Sequence, residues 1–183
     1  MQRRKFLLAT AATIPALAIG QNVKSRPKRL KKGFVVKVTE SRFNEKTLLG
    51  GKSPNDIKVS SKDTSGDLTV FEYTGNEKGG PPLHIHPEQD EIFFITEGEY
   101  LFQVGEDKYN LKAGDTIFLP RTVPHAFAQL TTKGKMFFLL QPSGKMEDFF
   151  RTIGNLTSEP TPAQGVKIFE DHGMKVVGPP LQY

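Results

Sequence analysis

The chain has 183 residues, with 14 phenylalanines, no cysteine, no tryptophan and a formal net charge of +5. That length suits one globular domain with a sizeable core. The absence of cysteine excludes a disulfide framework, cysteine-type zinc sites and thiol chemistry, so any metal must be held by His, Asp or Glu.

In chain order, residues 1–20 read as an export signal. Arg3, Arg4 and Lys5 precede an apolar run over residues 6–19, and Ala16-Leu17-Ala18 supplies the small residues of a cleavage site. The run is shorter than the roughly 20 residues a membrane span needs. Its opening, "RRKFLL", resembles the twin-arginine signal of bacterial export. The expectation is an exported protein, periplasmic or extracellular, with no stable membrane insertion after leader removal. Setting the leader's three cations aside takes the net charge from +5 to about +2. Most of that surplus sits in "KSRPKRLKK", residues 24–32, read as a solvated linker within a basic extension over 21–50. A nucleic-acid partner is therefore not expected.

Residues 51–142 read as β structure. "DIKVSSKDTSGDLTVFEYTG" predicts two strands joined around residues 63–66, with glycine in the turn. Strand-like stretches continue through "HAFAQL" and "KGKMFFLLQ", each bounded by Gly, Pro or Asp. Short strands at steady spacing predict an all-β antiparallel sandwich or barrel. The period then changes. Met146, Phe149, Phe150 and Ile153 fall at i, i+3, i+4 and i+7, with Glu147 and Asp148 in the first turn, which predicts an amphipathic helix. A second, weaker helix is expected over 162–172, capped by Gly173. Residues 143–183 thus form a helical tail that covers the barrel's outside or one end, with His172 at a helix terminus.

Ionisable chemistry concentrates in "PPLHIHPEQDEIFFITEGEY", residues 81–100. Side chains alternate across a strand, so His84 and His86 share a face and lie about 7 Å apart along the backbone. Glu91 follows at an odd interval, so "PEQD" must turn the chain for its carboxylate to come back toward the histidines. His125 is the remaining histidine of the β region. It follows a turn bracketed by Pro120 and Pro124, and shares a strand face with Phe127. Three neutral imidazoles and one carboxylate suit a single divalent transition metal, Mn, Fe, Co, Ni, Cu or Zn, over Ca or Mg. By the same alternation Phe93 and Ile95 share the inward face with Glu91. With Phe127 they form a candidate pocket for a flat aromatic substrate; ordinary core packing explains them equally well.

These residues resemble the two motifs of the cupin family. His84, His86, Glu91 and Gly98 match the first, and Gly114, Pro120 and His125 the second. The departures are the spacing of Gly79, Thr122 where glycine is usual, and Gln129 in place of a final asparagine. The "GKMEDFF" helix and closing "GPP" are similar to bacterial single-domain cupins of the quercetin 2,3-dioxygenase-like group. The resemblance implies a double-stranded β-helix, or jelly-roll barrel, with the metal inside and one or two C-terminal helices. It implies a dioxygenase acting on a small aromatic or enol-type substrate with O₂, in which Glu91 acts as general base. Two alternatives stay open: a non-oxidative isomerase or lyase, and a periplasmic metal-containing binding protein. The expected partner is a small molecule, and a homodimer is compatible with the reading.

Overall fold

The structure, a computed structural model, describes residues 28–183. The export signal expected over residues 1–20 lies outside the described residues. Among them, no helix is long and apolar enough to cross a membrane.

The described chain runs through a 3-10 turn (Arg42–Asn44), β1 (Leu48–Leu49), β2 (Ser53–Val59), α1 (Ser61–Thr64), β3 (Thr69–Gly75), β4 (Pro82–Ile85), β5 (Asp90–Glu97) and β6 (Glu99–Val104). It continues through β7 (Asp107–Lys112), β8 (Thr116–Leu119), β9 (His125–Gln129), β10 (Gly134–Gln141), α2 (Met146–Gly154), α3 (Pro162–Asp171) and β11 (Lys175–Pro180). The strands form two antiparallel sheets, one of six in the order β1-β2-β3-β10-β5-β8 and one of five in the order β11-β4-β9-β6-β7. The fold is a double-stranded β-helix with C-terminal helices, as the sequence predicts.

Alternation builds the core. Along β10, Gly134, Met136, Phe138 and Leu140 are buried while Lys135, Phe137 and Leu139 are half-exposed. Cross-strand register then stacks inward residues into rows: Phe71 and Phe93 flank Phe138 from β3 and β5, with ring centroids 5.0 and 5.2 Å away. Burying such aromatics, each worth about 1.5–3 kcal/mol in removed apolar surface, holds the six-stranded sheet against the other.

Two local expectations change. The β2–β3 connection is the one-turn helix α1, not a plain turn. Ser60 and Asp63 form a reciprocal capping box at its start, and Ser65 ends it in the left-handed conformation. Such local side-chain bonding offers the backbone an alternative to a tight turn. Glu147, read as a first-turn acid that only complements the helix dipole, is buried. Its carboxylate accepts from Ser60 Oγ at 3.1 Å and Thr69 Oγ1 at 3.0 Å and pairs with Arg151 at 3.2 Å. It therefore ties α2 to the barrel.

β11 has no counterpart in the sequence reading. It pairs with β4, setting Val176 against His84, so the strand that carries His84 lies between β11 and β9.

Gly80 shows how tightly the chain passes the site strands. A Cβ built there would sit 1.9 Å from the Phe127 carbonyl oxygen, and backbone bonds between Gly79 and Gln129 at 3.0 and 2.8 Å hold the approach. Neither backbone can yield without moving β9, which carries His125 and Phe127. Gly80→Ala is expected to cost about 2–4 kcal/mol, read as a lowered denaturant midpoint. A midpoint within error of wild type would show that the contact relaxes freely.

Candidate metal centre

The site is assembled from both sheets. On the five-stranded sheet His84 and His125 stand directly opposite each other in the β4–β9 register, so both rings project from one face into the barrel. His86 lies one residue past β4. Its carbonyl accepts the Thr122 N–H at 2.9 Å, which ties the turn after His86 to the turn before His125. Thr122 has φ of 68°, a left-handed conformation that costs a β-branched residue about 1–2 kcal/mol. The family pattern has glycine there, which adopts this backbone without that cost. Across the barrel, β5 supplies Glu91, in register with Leu119 and Leu140.

All four side chains are buried. One ligating atom from each of His84, His86, Glu91 and His125 lies within 4.8 Å of every other. His84 Nε2 is 3.2 Å from His86 Nε2, while Glu91 Oε2 is 3.4 Å from His125 Nε2 and 3.7 Å from His86 Nε2. An ion about 2.1 Å from each ligand holds neighbours roughly 3.0 Å apart at right angles and roughly 3.4 Å apart at tetrahedral angles. The separations of 3.2 and 3.4 Å match that range and the third, 3.7 Å, lies just beyond it.

The tautomers fit as well. His84 Nδ1–H donates to the Pro82 carbonyl at 2.8 Å and His125 Nδ1–H to that of Val123 at 3.0 Å. Each ring therefore presents an Nε2 lone pair to the centre, the arrangement that orients a metal-ligating imidazole. His125 Nε2 is buried and has no hydrogen-bond partner among the described residues. A buried lone pair of this kind is costly, and a cation would satisfy it. These residues fit a divalent ion held by three Nε2 atoms and one carboxylate.

Burial, with the neighbouring imidazoles second, pulls the pKa of His84 and of His86 from 6.5 down to about 3. Both are thus neutral at physiological pH, the state that ligates. The sign of the linked stability follows. Below about pH 6.5 the unfolded chain takes up protons on these two residues while the folded chain does not. Unfolding is therefore favoured progressively as pH falls from about 6.5 to about 3. Urea midpoints of ion-free protein should decline through that window more steeply than those of a His84→Gln/His86→Gln double variant. Parallel curves would contradict the burial argument.

The cluster opens onto a cavity of about 330 Å³. Phe93 and Phe127, both candidates from the sequence, line it, with ring centroids 5.8 Å apart. Ile95 does not. It is buried, but its cross-strand partner Met136 takes the lining position in that row, so Ile95 belongs to the core. Sequence reasoning missed much of the wall. Asn55 comes from β2, Tyr73 from β3, Phe149 and Phe150 from α2 and Phe169 from α3. The Phe169 ring lies 5.3 Å from that of His84, so the helical tail closes the cavity beside the cluster. The helix periodicity signalled an apolar face at Phe149 and Phe150; the rest carried no local signal. His172 stays apart, its Nδ1 hydrogen-bonded to the Ile168 carbonyl at 2.7 Å.

A two-sheet antiparallel barrel with three histidines and a glutamate facing inward defines the class. Residues 70–141, which contain all four, match the cupin domain model, and the chain carries a cupin domain. An uncharacterized protein of Methanocaldococcus jannaschii is 42% identical over 43 residues, covering 24% of this chain and 34% of that protein. The match therefore spans about a third of that relative. Three solved structures share the fold. KdgF from Halomonas sp. aligns with TM-score 0.52 at 16% identity, over 61% of this chain and 94% of that one. An RmlC-like cupin from Shewanella frigidimarina aligns at 0.50 with 21% identity, over 63% and 99%. A predicted oxalate decarboxylase from Thermotoga maritima aligns at 0.52 with 18% identity, over 60% and 99%. At these identities the likeness is one of fold alone.

Proposed function

We propose that the protein is a metal-dependent cupin oxygenase acting on a small aromatic or enol-type substrate. The observation that carries this reading is the placement of three imidazole Nε2 atoms and one carboxylate on a cavity walled by phenylalanines. His84, His86, His125 and Glu91 would hold the ion, which when bound supplies Lewis acidity that lowers the pKa of a substrate hydroxyl and gives access to O₂ chemistry. The chain's own residues do the rest. Phe93, Phe127 and Phe149 hold the ring and keep water from the reacting atoms, and the Glu91 carboxylate accepts the hydroxyl proton as general base.

The test is oxygen uptake by natively metallated protein with a panel of hydroxylated aromatics that includes flavonols. Substrate-dependent O₂ consumption is expected. Substrate conversion under nitrogen would instead favour an isomerase or lyase, and binding without conversion a binding protein. We also propose that residues 1–20 direct export, on the strength of the Arg3-Arg4 pair ahead of the apolar run. Replacing both arginines by lysine should strand the precursor inside the cell, whereas undiminished export on cell fractionation would reject a twin-arginine route.

A further inference from the structure

Asn55 lines the cavity and is 1% exposed, yet neither its side-chain nitrogen nor its side-chain oxygen has a hydrogen-bond partner among the described residues. A buried amide left this way costs about 1–3 kcal/mol for each unmade bond, and native proteins seldom leave such groups without a partner. The surroundings offer it none. In the register of β2, β3 and β10, Asn55 stands beside Tyr73 and then Met136. The Tyr73 hydroxyl makes no hydrogen bond to the amide, and a thioether donates nothing.

The charge of the lining narrows what could complete the amide. Apart from the phenol of Tyr73, the ionisable lining residues are the four of the cluster and, exposed at the rim, Glu77 and Lys78. Glu77 is already paired with Lys52 at 2.8 Å. Among the described lining residues no buried cation is present to neutralise a second carboxylate, and a carboxylate, which only accepts, would leave the Asn55 oxygen without a donor. An amide edge with both donors and acceptors is complemented by a hydroxyl, which has both. We infer that Asn55 is a specificity-determining residue that binds a neutral hydroxyl at the far end of the substrate from the His84–Glu91 cluster. The preferred ligand is then an uncharged aromatic with two separated hydroxyls, and small dicarboxylates are excluded. This rests on the reading of the cavity as the substrate site.

The experiment uses zinc-loaded protein under nitrogen, so that only binding is read. Fluorescence titrations compare 1-naphthol with 1,5-dihydroxynaphthalene, which adds one remote hydroxyl, and competition with succinate reports the dicarboxylate. Wild type should prefer the diol by about 5- to 30-fold, the range expected for one buried hydrogen bond to an otherwise unpaired group. Succinate should not compete at millimolar concentration. Asn55→Leu, and Asn55→Ala should the leucine variant fold poorly, should bind both naphthols equally while keeping the wild-type zinc content. A preference that survives in the variants overturns the inference, as does equal affinity in wild type, binding of neither naphthol, or competition by succinate. An unchanged or lower Tm in Asn55→Leu with the naphthol preference intact would show that trapped water satisfies the amide, which also overturns it. Because no turnover is read, missing O₂ uptake rejects the oxygenase reading without altering this outcome.

Discussion

His86→Ala protein should retain less than about a tenth of the wild-type metal after dialysis against a mild chelator, by elemental analysis. His86 is 1% exposed and its Nε2 stands 3.2 Å from that of His84, so the substitution removes a ligand at the middle of the cluster. The two remaining imidazoles and Glu91 cannot complete a four-ligand set, and no other histidine is near enough to replace it. His84→Ala and His125→Ala should behave alike. His172→Ala is the control: that ring bonds the Ile168 carbonyl outside the cluster, so its loss should leave metal content unchanged. Circular dichroism separates ligand loss from unfolding, since the two sheets are closed by aromatic rows that do not include His86. Full occupancy in folded His86→Ala protein would sink the assignment.

Glu91→Gln should separate holding the ion from moving the proton. The amide keeps the size and one oxygen of the carboxylate but cannot serve as a base. With three imidazoles still in place, metal supplied in excess should be retained, while turnover of a hydroxylated substrate falls about 10²- to 10⁴-fold, the usual contribution of a positioned general base. The carboxylate reaches the cluster from β5, opposite the sheet that carries the histidines. A substrate group bound there meets this acceptor from β5, with Phe93 of the same strand and Phe127 of β9 lining the cavity beside it. If the variant turns over at the wild-type rate, Glu91 is at most a ligand and the proton leaves by another path.

The legibility of this site follows from distance along the chain. His84 and His86 share a face because a strand has period two, and the turn at residues 87–89 was required before Glu91 could join them; both follow from local backbone geometry. Met146, Phe149, Phe150 and Ile153 likewise declare their helix by spacing alone. Asn55 carried no such mark, since it precedes the strand predicted from Asp56, and only the β2–β3 pairing and barrel closure bury it beside Tyr73. Ile95 carried the opposite error: alternation correctly sends it inward, but only the β5–β10 pairing shows Met136 at the cavity wall in its row.

The same division separates the elements. By itself, the amino-acid order determined the strand faces, both C-terminal helices and the four candidate ligands, because hydrophobic period, turn residues and helix caps act within a few positions. The tertiary structure alone decided that β11 pairs with β4, that Glu147 is drawn under α1, that Phe169 packs on His84, and that the Asn55 amide faces the cavity without a partner among the described residues. Those outcomes depend on which surfaces meet when the two sheets close. Such long-range contacts are chosen by the summed burial and hydrogen bonding of the whole barrel, not by any residue's near neighbours in sequence.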